Sequence, residues 1–122
     1  MSTPEFRHIR TCMVDNVAVA EVLTKDLVGP ELAGELEAEL RLVVEQDWAQ
    51  RLVVNFDRVR FLSSTGFAAL LRVATLAKNE GRQIRLCAMD SGVRLGAEII
   101  GLNQFVPLDD TEADALKAFQ PV

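Results

Sequence analysis

Strand-length apolar runs alternate with amphipathic segments along most of this chain, after an opening pair of apolar runs. Such alternation demands a largely parallel sheet, because each helix returns the chain through a right-handed crossover to the end of the sheet at which the strands begin. The order ββαβαβαβα predicts an α/β fold: a mixed, mostly parallel sheet of about five strands with about four helices. The predicted strands span 9–14, 17–23, 51–56, 83–88 and 105–108, and the helices 30–46, 63–80, about 91–102 and about 111–119.

Three local signals fix the expected arrangement of the strands. Asp15 and Asn16 separate the first two runs, and both residue types tolerate the left-handed backbone of a two-residue hairpin turn, so this pair should be antiparallel. The run over 51–56 has a continuous apolar centre, which indicates burial on both faces in the middle of the sheet. Pro107 lies in the last run and fits an edge strand, where its missing N–H is tolerated.

The helix boundaries also carry sequence signals. Pro30 suits a first helical turn, Gly81 suits the residue just after a helix, and Asp90 or Ser91 suits an N-cap. Helical spacing predicts apolar side chains that face the core. They are Leu32, Leu36, Leu40, Val43, Val44, Phe67, Leu70, Leu71, Ala74, Ala77, Val93, Ala97, Ile100, Leu116 and Phe119.

Size and charge restrict the classes of partner. A chain of 122 residues is expected to form one domain, over 1–122 with a core of about 9–119. The net charge of −5 disfavours nucleic acid and anionic membrane surfaces as partners. The first five residues lack the pattern of a signal peptide and no run is long enough to cross a bilayer, so a cytoplasmic protein is expected. Cys12 and Cys87 are expected to be reduced and buried.

The residues needed for catalysis are scarce. His8 is the single histidine, in a segment expected to fray, and the sequence has no tyrosine. Phosphate-binding glycine loops and metal-ligand spacings are absent from the sequence. We therefore expect no enzymatic activity, no metal and no organic cofactor, and a protein that acts by contact.

The segment Ser63-Ser64-Thr65-Gly66 is the most informative one for function. It follows a buried strand and opens a helix. It therefore lies at the carboxyl ends of the strands, where ligands and partners of open α/β folds bind. One of the two serines could simply cap the helix. A cap needs only one hydroxyl, however, and three occur in a row, followed by a glycine that permits close backbone approach.

This part of the chain resembles the STAS domain family, as found in bacterial anti-sigma factor antagonists. The most specific match is 59–67, Val-Arg-Phe-Leu-Ser-Ser-Thr-Gly-Phe, after a strand that closes with Asn-Phe-Asp over 55–57. The connector Lys25-Asp26 and the turn Gly-Arg-Gln-Ile over 81–84 are also similar to the family pattern. The resemblance covers nearly the whole chain in length and element order. It departs at Ser63, where the family has Asp.

The resemblance implies a phospho-switch. The family's phosphoacceptor maps onto Ser64, with Thr65 as the reserve candidate. The implied partners are an anti-sigma factor serine kinase, which binds the unphosphorylated form, and a PP2C-type phosphatase. The replacement of the family's Asp by Ser63 could change the rate of phosphorylation or the preferred kinase. The predicted partner-binding residues are Asp26, Arg58, Arg60, Ser63, Ser64, Thr65 and Gly66.

One other class of function remains at this stage. The chain could be a STAS-like binding module that is never phosphorylated, binding a nucleotide or serving a lipid or anion transport system. Asp57 ends a strand, like the phospho-aspartate of response-regulator receivers, but the opening hairpin and the lack of a lysine near 105–108 argue against that class. We expect Asp57 to be a turn residue that binds local N–H groups.

Overall fold

The computed structural model describes residues 5–120, so most of the segment examined for a signal peptide lies outside it. Its main sheet has five strands, in the order β1-β2-β4-β6-β7. The strands are β1 (Ile9–Val14), β2 (Val17–Val22), β3 (Asp26–Leu27), β4 (Arg51–Asn55), β5 (Phe61–Leu62), β6 (Gln83–Cys87) and β7 (Leu108–Asp109). The helices are α1 (Pro30–Val44), α2 (Ser64–Asn79), α3 (Ser91–Ile99) and α4 (Glu112–Ala118). The predicted α/β class and element order are confirmed.

The opening hairpin forms as the sequence indicates. β1 and β2 are antiparallel, with Val14 opposite Val17, whereas β2, β4, β6 and β7 pair in parallel. Asp15 and Asn16 have φ of 50° and 67°, the left-handed values that a two-residue turn of this twist requires.

The sheet is covered on both faces. The helices α1, α2 and α3 lie on one face, where Leu36, Leu40 and Leu52 are almost fully buried. The helix α4 packs on the other face over a smaller cluster that includes Val53 and Ala115. The central strand β4 is therefore buried on both sides, as its continuous apolar sequence predicts.

The last strand and the end of α3 differ from expectation. The strand is Leu108–Asp109 and not 105–108, because the chain enters a 3-10 turn over Leu102–Gln104 after Gly101 takes a φ of +79°. Since α3 has already ended at Ile99, Ile100 is half exposed and does not face the core. The strand does lie at the sheet edge, and Pro107 precedes it, with a carbonyl that still accepts a hydrogen bond from Leu86.

Cys12 was expected to be buried and is exposed. It lies opposite Val19 in the hairpin and so faces the α4 side of the sheet. The helix α4 packs on β4, β6 and β7, which leaves β1 uncovered on that side. Cys87 is buried as predicted, and burial raises the pKa of its thiol to about 12. Both thiols are free.

His8 was expected in a fraying segment, but its backbone and side chain are both anchored. Its carbonyl accepts from the N–H of Leu23 at 2.8 Å, and its own N–H donates to Oε1 of Glu39 at 2.9 Å. The buried ring lies 3.0 Å from Oγ1 of Thr24. These contacts come from α1 and the end of β2, which local sequence around His8 does not reveal.

Candidate functional site

A short two-stranded ribbon lies next to the Ser63–Gly66 turn. The strands β3 and β5 pair in parallel, with Asp26 opposite Phe61 and Leu27 opposite Leu62. The ribbon is extended by hydrogen bonds from the N–H of Arg60 to Lys25 O at 2.8 Å and from the N–H of Ser63 to Leu27 O at 3.0 Å. It brings the connector before α1 against the connector before α2. Neither segment was predicted as a strand, because two-residue strands are too short to show periodicity.

Ser63 is the N-cap residue of α2 by its backbone, with φ −79° and ψ 170°, and its carbonyl accepts from the N–H of Phe67 at 3.0 Å. Its hydroxyl does not cap the helix. Oγ instead accepts from the N–H of Gly29, at the start of α1, at 3.3 Å and lies 2.8 Å from Oγ1 of Thr65. Ser63 therefore ties the start of α1 to the start of α2.

Ser64 is the first residue of α2 and is exposed. In the described part of the chain, α2 receives no capping hydrogen bond from its N-cap side chain. The first-turn N–H groups of a helix lack intrahelical partners and carry the positive end of its dipole. A negative group on Oγ of Ser64 would therefore lie beside first-turn N–H groups to which the N-cap side chain is not bonded.

Gly66 is buried under this turn. A Cβ at Gly66 would overlap the Cδ1 of Leu62 and lie 3.1 Å from its Cγ and 3.7 Å from Leu27 O. The glycine thus lets the first turn of α2 approach the ribbon closely. Gly66 therefore shapes the surface but does not contact a partner directly, because it is buried.

The two predicted arginines are exposed and differ in their contacts. Nε of Arg58 lies 3.6 Å from a carboxylate oxygen of Glu21, and Nη1 of Arg60 donates to the carbonyl of Asp57 at 2.6 Å. Asp26 is exposed on the ribbon. The ribbon and the turn therefore bring all seven predicted partner-binding residues to one end of the sheet, six of them at least partly accessible.

Among residues 5–120, no N–H group donates to the carboxylate of Asp57, which we expected to bind local N–H groups. The side chain of Asn55 fills that role: Oδ1 accepts from the N–H of Asp57 at 2.7 Å, and Nδ2 donates to Glu112 Oε1 at 3.0 Å. Asn55 is buried and joins the end of β4 to the start of α4. Its position as a polar residue at the end of an apolar strand was the signal for this role.

A cleft of about 630 Å³ opens at this end of β4 and β6. Its walls are rich in carboxylates, and Arg60 lies at its border with the turn. The lining residues are Asn55, Asp57, Arg60, Ala88, Met89, Asp90, Asp110, Thr111 and Glu112. Within residues 5–120, no group of three or more His, Cys, Asp or Glu side chains is placed to hold a metal ion.

Comparison with known proteins decides the family. The family model of the STAS domain matches residues 19–115. The chain belongs to the STAS domain family. Among curated proteins it is similar to the anti-sigma factor antagonist BtrV of Bordetella bronchiseptica, with 28% identity over 107 residues, 88% of this chain and 90% of the relative.

Several solved structures share this fold. An anti-sigma factor antagonist from Mycobacterium paratuberculosis is 26% identical, with a TM-score of 0.73 over 90% of this chain and 91% of the other. The phosphorylated form of the Bacillus cell fate determinant SpoIIAA is 18% identical, with a TM-score of 0.67 over 92% and 99% of the two chains. The STAS domain of the Vibrio cholerae SulP transporter is 21% identical, with a TM-score of 0.67 over 88% and 83%.

Of the helices in the described part of the chain, none combines the length and the apolar character needed to span a bilayer.

Proposed function

We propose that this STAS protein is an anti-sigma factor antagonist whose binding to an anti-sigma factor serine kinase is switched off by phosphorylation of Ser64. The observation that carries the proposal is the position of Ser64, exposed at the first residue of α2 and beside first-turn donors that no N-cap side chain occupies. The similarity to BtrV and to the Mycobacterium paratuberculosis antagonist supports the same function. That SpoIIAA is known in a phosphorylated form supports a phosphorylated state for this fold.

The transfer itself needs only an accessible hydroxyl. Oγ of Ser64 attacks the γ-phosphorus of the kinase-bound ATP, the bond to the β-phosphate oxygen breaks, and the hydroxyl proton passes to a base of the kinase. This chain contributes the acceptor and no catalytic group. A PP2C-type phosphatase then hydrolyses the phosphoserine, which releases inorganic phosphate and restores the hydroxyl. Because the kinase needs ATP, we expect a cytoplasmic location.

The switch works by charge and not by refolding. A phosphoserine adds about −1.5 to −2 charges at neutral pH. In the free protein the start of α2 stabilises those charges through its N–H groups and dipole. In a docked complex the same charges must lose water, and a partner without matching cations then binds less tightly.

The sharpest test uses the anti-sigma serine kinases encoded in the source genome, each purified and incubated with this protein and ATP. Mass mapping should find phosphate on Ser64. Ser64→Ala should abolish phosphorylation and keep binding, because only a hydroxyl is lost. Ser64→Asp should weaken binding only in part, because a carboxylate carries about half the charge of a phosphate.

Ser63→Ala and Thr65→Ala are the matched controls, since each removes a neighbouring hydroxyl. Ser63→Ala should lower the phosphorylation rate less than Ser64→Ala does, and Thr65→Ala should keep the Ser64 phosphosite. Phosphate confined to Thr65, or equal binding by Ser64→Asp and the unmodified protein, would contradict the assignment.

The runner-up function is that of a STAS module which serves an anion transporter or binds a nucleotide, without phosphorylation. The fold of the SulP domain is compatible with it. The described residues favour the antagonist, because the hydroxyl-bearing turn is exposed at the start of α2. Failure of every kinase of the panel to bind or to phosphorylate this protein would favour the runner-up.

A further inference from the structure

Large apolar side chains are exposed on β5, which precedes the Ser64 turn, and on α3. Phe61 of β5, Leu95 and Ile99 have 63%, 59% and 74% of their surface accessible. Gly92, Leu95, Gly96 and Ile99 occupy positions i, i+3, i+4 and i+7 of α3, so they share one face of that helix. Neighbouring exposed apolar side chains of this size mark an interaction surface more often than chance.

A groove of about 280 Å³ lies between α2 and α3, lined by residues on either side of the Ser64 turn in the sequence. It is lined by Phe61 and Leu62, which precede the turn, and by Phe67, one helical turn after Ser64. Gly92 and Gly96 form its α3 side. A Cβ at Gly96 would lie 2.9 Å from Cζ of Phe67, so the glycine brings α3 close to the ring and leaves the groove shallow and apolar.

The cleft beside the groove is acidic. Arg60 borders both the groove and the cleft at the end of β4 and β6, and that cleft carries four carboxylates: Asp57, Asp90, Asp110 and Glu112. The Arg60 guanidinium donates to the carbonyls of Asp57 and Val59. Arg94 is paired with Asp110 and Glu98. Negative charge therefore exceeds positive charge along this rim.

We propose that the kinase which recognises Ser64 docks across this groove and the exposed α3 face of Leu95 and Ile99. An apolar side chain of the kinase sits between Phe61, Phe67 and Gly96, and its lysine or arginine side chains lie over the acidic cleft. The inference rests on the proposed function and adds the chemistry of the partner's surface to it. Apolar contact supplies the affinity, and complementary charge supplies orientation and rate of association. A phosphate on Ser64 then lies within the docked area and must lose water, while the cations of the partner lie over the carboxylates of the cleft.

The test measures binding of the kinase that phosphorylates Ser64, by calorimetry. The double variant Leu95→Ser with Ile99→Ser should weaken binding by about tenfold or more. The matched control is Leu42→Ser, which changes another half-exposed apolar side chain, on α1. It should bind like the unmodified protein. Circular dichroism verifies that each variant is folded.

Charge is tested separately. The double variant Asp57→Asn with Asp110→Asn should slow association at about 50 mM salt and should respond less than the unmodified protein to an increase to about 200 mM. Unchanged rates would overturn the charge part of the inference.

The outcomes separate this inference from the proposed function. If no kinase binds the unmodified protein, both fail. If Ser64→Asp weakens binding and the Leu95/Ile99 variant binds normally, only the docking inference fails. If the unmodified protein is a dimer, the Leu95/Ile99 variant is a monomer and kinase binding is unchanged, the groove joins two copies and the inference is overturned.

Discussion

At Gly81 and Gly34 the backbone conformation decides whether replacement by alanine raises or lowers the free energy of unfolding. Gly81 follows α2 with a φ of +72°, and Gly34 lies within α1; a Cβ at either would meet nothing within 4 Å. Gly81→Ala should lower the free energy of unfolding by about 1 kcal/mol, because an L-residue is strained in the left-handed region. Gly34→Ala should raise it by about 0.5–1 kcal/mol through helix propensity. Urea unfolding measures both, and effects of the same sign would contradict this account.

The two cysteines differ at the residue scale in their chemistry. The thiolate is the reactive form, and burial raises the pKa of Cys87 to about 12, whereas Cys12 is exposed on β1. In the folded protein at mildly alkaline pH, iodoacetamide should modify Cys12 and leave Cys87 intact. In denaturant both should react. Mass spectrometry of the peptides gives the result, and rapid native labelling of Cys87 would disprove the burial.

At the scale of elements, α1 is held to the sheet by fully buried leucines. Leu36→Ala or Leu40→Ala should each lower the free energy of unfolding by about 2–5 kcal/mol, because each leaves a cavity in the core. Leu42→Ala is the control on the same helix, with 44% exposure, and should cost less than about 0.5 kcal/mol. Three similar values in denaturant melts would show that the core-facing side of α1 is misassigned.

The contact between α1 and α2 includes a carboxylate whose titration is coupled to folding. A hydrogen bond from Arg72 lowers the pKa of Glu37 below its ordinary 4.5, and Arg41 adds a second one. The stabilisation of the fold by the ionised Glu37 carboxylate is present above the unfolded-state pKa. It is lost as the pH falls through the lowered folded-state pKa. Glu37→Gln should therefore be less stable than the unmodified protein near neutral pH, and the difference should shrink as the pH falls below about 4. A stability difference that does not change with pH would refute the coupling.

For the whole molecule, we expect negative charge on Ser64 to leave the fold unchanged. Ser64 is exposed at the start of α2, where an acidic side chain is favourable. Ser64→Asp should change the free energy of unfolding by less than about 0.5 kcal/mol. Paired urea melts check this, with Thr65→Asp as the control, because Oγ1 of Thr65 is hydrogen-bonded to Ser63. Unfolding of Ser64→Asp would mean that phosphorylation acts by destabilising the protein.

The architecture could be predicted because the sequence signals for it are local. The Asx pair between β1 and β2, the apolar centre of β4 and the glycine after α2 each predict one feature, and the structure has all three. Features that depend on contacts between segments far apart in the sequence could not be predicted. The β3–β5 ribbon joins segments more than 30 residues apart, and Cys12 is exposed because α4 does not cover β1.

The candidate site was predictable in part for the same reason. Ser64 at the start of α2 follows from a strand-to-helix junction that can be read locally. The hydrogen bond from Gly29 to Ser63 and the role of Asn55 required the positions of α1 and α4. The groove beside Phe67 depends on how closely α3 approaches α2.

The parallel arrangement of β2, β4, β6 and β7 gives the molecule two unlike ends. Every strand-to-helix connection, and with it Ser64, lies at one end, while the β1–β2 hairpin and the turns over 45–50 and 80–82 lie at the other. A biotin or fluorophore attached at 45–50 would thus anchor the protein to a sensor surface with Ser64 facing the solution. The fold therefore allows the phosphorylation state to be followed in real time on an immobilised sample, without a label near the residues that change.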